Sequence, residues 1–364
     1  MHSSRLYFID IIRAFAIIMM LQGHFIDTLL SITYRDLNAV PYAVWHYFRG
    51  ITAPTFFTIS GLIFTYLLLK AKEKGQEKIR MRKGITRGFF LIGVGYLLRI
   101  PFLAWFSGYF NSYFLVIDVL QCIGLSLILI IVLYTVCAKR TLLFAIVLLL
   151  LGILIFVAEP LYRGVSFDTI PVVFSNYISK SNGSVFTIIP WFGYIAFGAY
   201  IATIFHQYLH TAHFKKITVA SFLILGSLLI EYSSDALTYL HKLTDIQLFM
   251  DAANYNYLFT RLGNVFLYFA FFYAFEKFLK FPLILKIGQK TLSIYVIHFI
   301  IIYGSFTGVG LNRLIGKILT PWQAVFGAVL FIATVCLISF YYVKTNAFLY
   351  AHLRDFFHKV KGKR

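Results

Sequence analysis

About ten stretches of this sequence are apolar over the length a helix needs to cross a lipid bilayer, roughly 20 residues each. No other feature restricts the fold so tightly. They run over about 6–30, 47–69, 86–105, 114–136, 141–158, 186–206, 215–231, 257–279, 287–306 and 322–343. The reading is an all-α, polytopic integral membrane protein of about ten transmembrane helices. Composition agrees: only 13% of the 364 residues are charged, against about a quarter in soluble domains. A length of 364 would otherwise suggest two soluble domains, but the apolar runs leave room for neither. The chain reads as a single transmembrane domain over 1–364, with a basic loop at 70–87 and a basic tail at 344–364. The first run is too long for the apolar core of a secretory signal and is read as an uncleaved helix.

A net charge of +19 would in a soluble chain raise nucleic acid as a partner. Here the basic residues sit between apolar runs, where they set topology. Lys70, Lys72, Lys74, Lys78, Arg80, Arg82, Lys83 and Arg87 crowd one connection, and Lys139, Arg140, Lys215, Lys216 and the stretch Lys277 to Lys290 fall on the same side. The alternate connections hold far fewer, so both termini are expected in the cytoplasm. The longest connections, about 159–185 and 232–256, have the length of functional loops. Cys122, Cys137 and Cys336 are scattered, without the spacing of a disulfide framework or a metal site.

Ionisable residues inside a membrane helix are costly and mark function by default. The first span reads FIDIIRAFAIIMMLQGHFID. On a helical wheel Asp10, Arg13, His24 and Asp27 share an arc of roughly 100°. Arg13 and His24 are eleven residues apart, about 16 Å along one line of the helix. Asp10 and Arg13 stand at i, i+3 and are expected to pair, as are His24 and Asp27. A carboxylate beside an imidazole fixes its tautomer and stabilises its protonated form. That is what a general base requires. The bland reading makes Arg13 a snorkelling anchor and His24 a hydrogen-bonded interior histidine; the alignment of all four favours function.

In the ninth span Thr291, Tyr295, His298 and Ser305 share a face, so Tyr295 and His298 either bind substrate or hydrogen-bond a neighbouring helix. The second span offers Thr52, Thr55, Thr58 and Ser60, with Pro54 and Gly61 expected to loosen it. Asp118 and Gln121 open the fourth span as an interfacial pair or as substrate contacts. Arg99 is explained by snorkelling. Arg80, Arg82 and Arg87 set topology or also hold phosphates. Trp191 reads as an interfacial aromatic, with helix packing at Gly193 and Gly198.

Several of these segments resemble one family. RLYFIDIIRAFAIIMMLQGH resembles the first catalytic helix of the heparan-α-glucosaminide N-acetyltransferase-like membrane proteins, which are related to the wider type-three membrane acyltransferases. The Arg13 to His24 spacing matches. The resemblance continues in order through TAPTFFTISGLIF, RGFFLIGVGYLLR, DVLQCIGLSL, PWFGYIAFGAYIA and IGQKTLSIYVIH. It implies a ten-helix acyltransferase core, acetyl-CoA or another acyl-CoA as cytoplasmic donor, no metal, and a saccharide or glycolipid acceptor on the opposite face. It implies His24 as the catalytic residue and Arg13 on the donor side.

On this reading His24, oriented by Asp27, takes the proton of an acceptor amine or hydroxyl; direct transfer and an acyl-histidine intermediate both stay open. Gln121, the second-span hydroxyls or His298 would stabilise the oxyanion. The expected location is a bacterial inner membrane, and the oligomeric state stays open, a homo-oligomer included. Two rivals remain. A lipid or glycan transporter or flippase also suits a polar stripe, and a non-catalytic envelope subunit would use the stripe only for packing.

Overall fold

The computed structural model describes residues 6–167 and 169–361, with side chains described to residue 341. It is 79% helical with no strand among the described residues, as backbone satisfied within hydrocarbon demands. The principal helices are α1 (Tyr7–Leu29), α2 (Thr52–Glu73), α3 (Glu77–Arg99), α4 (Val119–Val136), α5 (Thr141–Val157), α6 (Ile188–Tyr208), α7 (Phe214–Thr244), α8 (Tyr257–Ala274), α9 (Thr291–Tyr303) and α10 (Pro321–Lys361). Each matches one expected apolar run. Among the described residues, six segments are long and apolar enough to cross a membrane by themselves, and a seventh forms if the bent pair Pro282–Gln289 and Thr291–Tyr303 counts as one span. The protein is a polytopic integral membrane protein.

Small residues set the closest helix contacts, as expected where lipid removes the hydrophobic drive between helices. A Cβ on Gly61 would sit 2.0 Å from the Ile195 carbonyl oxygen, and one on Gly198 1.8 Å from that of Thr58. This α2–α6 seam therefore runs backbone to backbone. Gly61 does not loosen α2, which is continuous; Pro54 lies in its first turn, where no intrahelical N–H is required. The helix α1 runs through the middle of the fold, against α2, α9, α10 and Pro282–Gln289.

Three boundaries differ from the sequence reading. The basic stretch 70–87 is the end of α2, a short turn and the first half of α3, because its Lys, Arg, Glu and Gln residues are good helix formers. The stretch 232–256 is mostly helix: α7 runs unbroken through polar residues to Thr244, stops where Asp245 turns left-handed (φ 55°), and is followed by Gln247–Asn254. Polarity marked the membrane edge there, not the helix end. The ninth run bends by 71° at Lys290. The tail at 344–364 lies outside the described side chains.

Candidate functional site

A cavity of about 730 Å³ lies between α1, α2, α3, α4 and α9, within the usual range for ligand sites. Its wall on α1 is the stripe Arg13, Ile17, Met20 and His24. The cavity therefore extends at least the ~16 Å between Arg13 and His24, about half of a 30 Å hydrocarbon layer. At the Arg13 end stand Arg80, Arg87, Gln289 and Thr291; at the His24 end Arg49, Thr52, Lys180 and Trp191; the middle is mainly aliphatic. Among the described residues the lining holds five cationic side chains, Arg13, Arg49, Arg80, Arg87 and Lys180, and no carboxylate. Thr52 Oγ1, Arg80 Nε and Trp191 Nε1 are buried polar atoms without a hydrogen-bond partner on this wall. Such atoms are costly to leave unmade, so the wall suits a polar, anionic occupant.

The bend at Lys290 builds the Arg13 end. It places Gly288 against the backbone of Asp10, where a Cβ would lie 2.0 Å from the carbonyl oxygen. It also brings Thr291 Oγ1 to accept from Arg13 Nη2 at 2.6 Å. Asp10 stands 3.8 Å from Arg13, as the i, i+3 spacing predicted. Arg87 adds a like charge to both Arg13 and Arg80. Arg82 is exposed and is not part of the wall.

The His24 end differs from expectation in one respect. His24 Nδ1 is hydrogen-bonded at 2.8 Å to the Tyr303 hydroxyl, which also meets the side chain of Thr28. Asp27 does not orient His24. It forms an ion pair with Arg49, and its backbone oxygen accepts from Arg35 Nη2 at 2.6 Å. A carboxylate in a low-dielectric site gains more from a guanidinium than from a neutral imidazole. The His298 ring centroid lies 5.3 Å from that of His24, and Tyr295 packs edge-on against His298. His298 is fully buried, and neither ring nitrogen makes a hydrogen bond of good geometry. Tyr295 and Ser60 line the cavity, the Ser60 hydroxyl donating to the Phe56 carbonyl at 2.7 Å.

Asp118 and Gln121 lie behind the wall. Asp118 caps α4 in a reciprocal capping box, with its backbone N–H donating to Gln121 Oε1 at 3.2 Å. Its carboxylate accepts from Arg99 Nη2 at 2.8 Å. Arg99 is thus a buried ion-pair partner, with 7% of its side chain exposed, and does not snorkel. Trp191 belongs to an aromatic group with Phe57 and Phe186 on the cavity wall, so it too is interior. Tyr303, Arg49 and Lys180 were missed as site residues. Tyr303 lies about 120° around the helix from Thr291, off the face that singled out Tyr295 and His298, and Arg49 and Lys180 lie at the edge of an apolar run and in a connection between runs, where no stripe marks them.

Compared with known protein families, residues 5–240 match the family described as heparan-alpha-glucosaminide N-acetyltransferase, catalytic. That match contains Arg13, His24, Arg80, Arg87 and Lys180 and ends before α9. No curated protein matches the chain.

Proposed function

The chain belongs to the heparan-alpha-glucosaminide N-acetyltransferase catalytic family, and from that premise we propose that it transfers an acyl group, in the first place acetyl, from a CoA thioester to a saccharide acceptor, with His24 as general base. A membrane enzyme of the acetyltransferase type follows from the family itself. The donor, the base and the sidedness are our reading. The observation that carries it is the cavity that joins a guanidinium cluster to His24 through the thickness of the helix bundle.

Three guanidiniums at one end of a cavity whose described lining holds no carboxylate favour a polyanion between them. Arg13, Arg80 and Arg87 would hold the phosphates of the donor. The aliphatic middle would take its slender arm, bringing the thioester to His24. With His24 Nδ1–H donating to Tyr303, Nε2 keeps its lone pair facing the acceptor. His24 Nε2 then removes the proton from an acceptor N–H or O–H. The new N–C or O–C bond forms as the C–S bond breaks, and His24 returns the proton to the departing sulfur. Base catalysis of this kind supplies roughly a hundred- to ten-thousand-fold. Tyr303 is a positioning residue in this scheme. Thr52, Lys180 and Trp191 would meet the acceptor, and His298 shields the base from the bundle side.

The basic side, which holds Lys70 to Arg87, is assigned to the cytoplasm by the positive-inside rule, in a bacterial inner membrane with both termini inside. The test is reconstitution into vesicles with radiolabelled acetyl-CoA supplied on one side and a panel of amino sugars and glycans on the other. Label should appear on a saccharide only when the donor meets the basic side. Flux of a saccharide or lipid without thioester consumption would replace this reading with a transporter.

A further inference from the structure

On the other side of α6 from His24 lies a second cavity of about 960 Å³, between α5, α6, α7 and α8. The helix α7 joins α8 through a tight seam at Gly226 and Gly263, where a Cβ on each would lie 2.9 and 2.7 Å from the other's carbonyl oxygen. It makes no comparable seam with α5 or α6. The helix therefore stands away from the bundle on that side, and only 17% of its apolar window is buried. The resulting groove is walled mainly by apolar and aromatic side chains such as Ile204, Phe214, Phe222, Leu225 and Leu229, with seven hydroxyl-bearing residues spread along it.

Left empty, such a groove loses the dispersion contacts of its lining. Water is a poor filler, since a buried water needs two to four polar partners. The lining on α7 runs from Phe214 to Leu240, about 39 Å at 1.5 Å per residue, longer than the ~30 Å hydrocarbon layer. A long apolar chain fits this shape.

The two ends differ in charge. The turn between α6 and α7 carries His210 and His213, and the first turn of α7 carries Lys215 and Lys216. Lys215 is shared with Glu276 at 3.7 Å, while His210, His213 and Lys216 are exposed. Fifteen residues beyond Lys216, about 22 Å along the helix, Glu231 and then Asp235 are exposed. An anionic head is attracted at the first end and repelled at the second. We propose that this groove binds an anionic phospholipid, its acyl chains along α7 and its phosphate at His213 and Lys216, in the leaflet that the α6–α7 turn faces. The site is separate from the cavity of His24 and does not depend on the acyl-transfer reading.

The test uses the full-length protein in nanodiscs of phosphatidylcholine with graded phosphatidylglycerol, counting retained lipids by native mass spectrometry. The wild type should retain phosphatidylglycerol in preference to phosphatidylcholine. Placing a carboxylate at both positions, His213→Glu with Lys216→Glu, should reduce that preference about tenfold or more. Ser221→Trp, which fills the groove about 10 Å from its Phe214 end, should abolish retention of either lipid. Wild-type helicity by circular dichroism confirms that each variant folds. Equal retention of the two lipids by the wild type, or retention untouched by Ser221→Trp, overturns the proposal. So does a concentration-dependent dimer that Ser221→Trp dissolves, which would assign the groove to a second copy of the chain.

Discussion

Replacing Tyr303 with phenylalanine removes one hydroxyl and leaves the ring, so it isolates what that oxygen does for His24. The hydroxyl bonds His24 Nδ1 at 2.8 Å, and the variant leaves that nitrogen without its partner. An orphaned buried polar group costs about 1–3 kcal/mol, and each 1.36 kcal/mol of barrier is a factor of ten in rate. If the loss falls on the transition state, Tyr303→Phe should lower kcat by about 5- to 150-fold. The KM for acyl-CoA should stay near wild type, since Arg13, Arg80 and Arg87 at the far end are untouched. Initial rates of thioester consumption across a donor series separate the two constants. A kcat within twofold of wild type would refute the orienting role. So would a defect confined to KM, which would make Tyr303 part of the donor pocket.

Arg80→Gln with Arg87→Gln should raise the KM for acyl-CoA at least tenfold, each charge-assisted bond being worth about 1.5–3 kcal/mol, whereas Arg82→Gln, exposed and off the cavity wall, should leave it unchanged; donor titrations compare the three. Gly198→Ala puts a methyl 1.8 Å from the Thr58 carbonyl oxygen and must push α2 from α6, lowering stability by about 3 kcal/mol or more. Gly93→Ala, with nothing within 4 Å of the added methyl, should melt at or above the wild-type temperature; equal melting of both variants would contradict the seam. On the basic side, the Lys139 ammonium at 2.6 Å, with the Tyr134 hydroxyl, holds the Glu77 carboxyl below the usual glutamate range. A carboxyl depressed by folding stabilises above its unfolded value and loses that contribution as the pH falls through the folded one. Glu77→Gln should therefore flatten the decline of melting temperature below about pH 5, and an unchanged acid limb would count against the clasp.

The helices were legible because hydropathy and bilayer thickness favour a helix for each apolar run, of which six, or seven with the bent pair, are long and apolar enough to span among the described residues. What hydropathy cannot mark is a helix that continues through polar residues, which is why 232–256 read as a connection and 70–87 as a loop. The bend at Lys290 was equally hidden, since the run 287–306 crosses it with no proline to mark a break. In the site, Arg13 and His24 were legible because a single helix carries both and fixed geometry aligns them. Arg49 and Tyr303 come from elsewhere in the chain, Tyr303 being 279 residues from His24, and no local pattern announces them. Asp27 was misread for a related reason. Local spacing offered His24 as a partner, and the stronger competitor, Arg49, arrives through tertiary packing. Asp118 and Gln121 carry a capping-box signature, and that signature accounts for them better than substrate binding.

The most direct measurement compares the purified wild type with His24→Ala for consumption of radiolabelled acetyl-CoA in the presence of saccharide acceptors, with donor binding measured in parallel. Transfer that is lost in His24→Ala while acetyl-CoA still binds near wild-type affinity is the predicted result. Transfer at the wild-type rate in His24→Ala would contradict the assignment of His24 as the catalytic base.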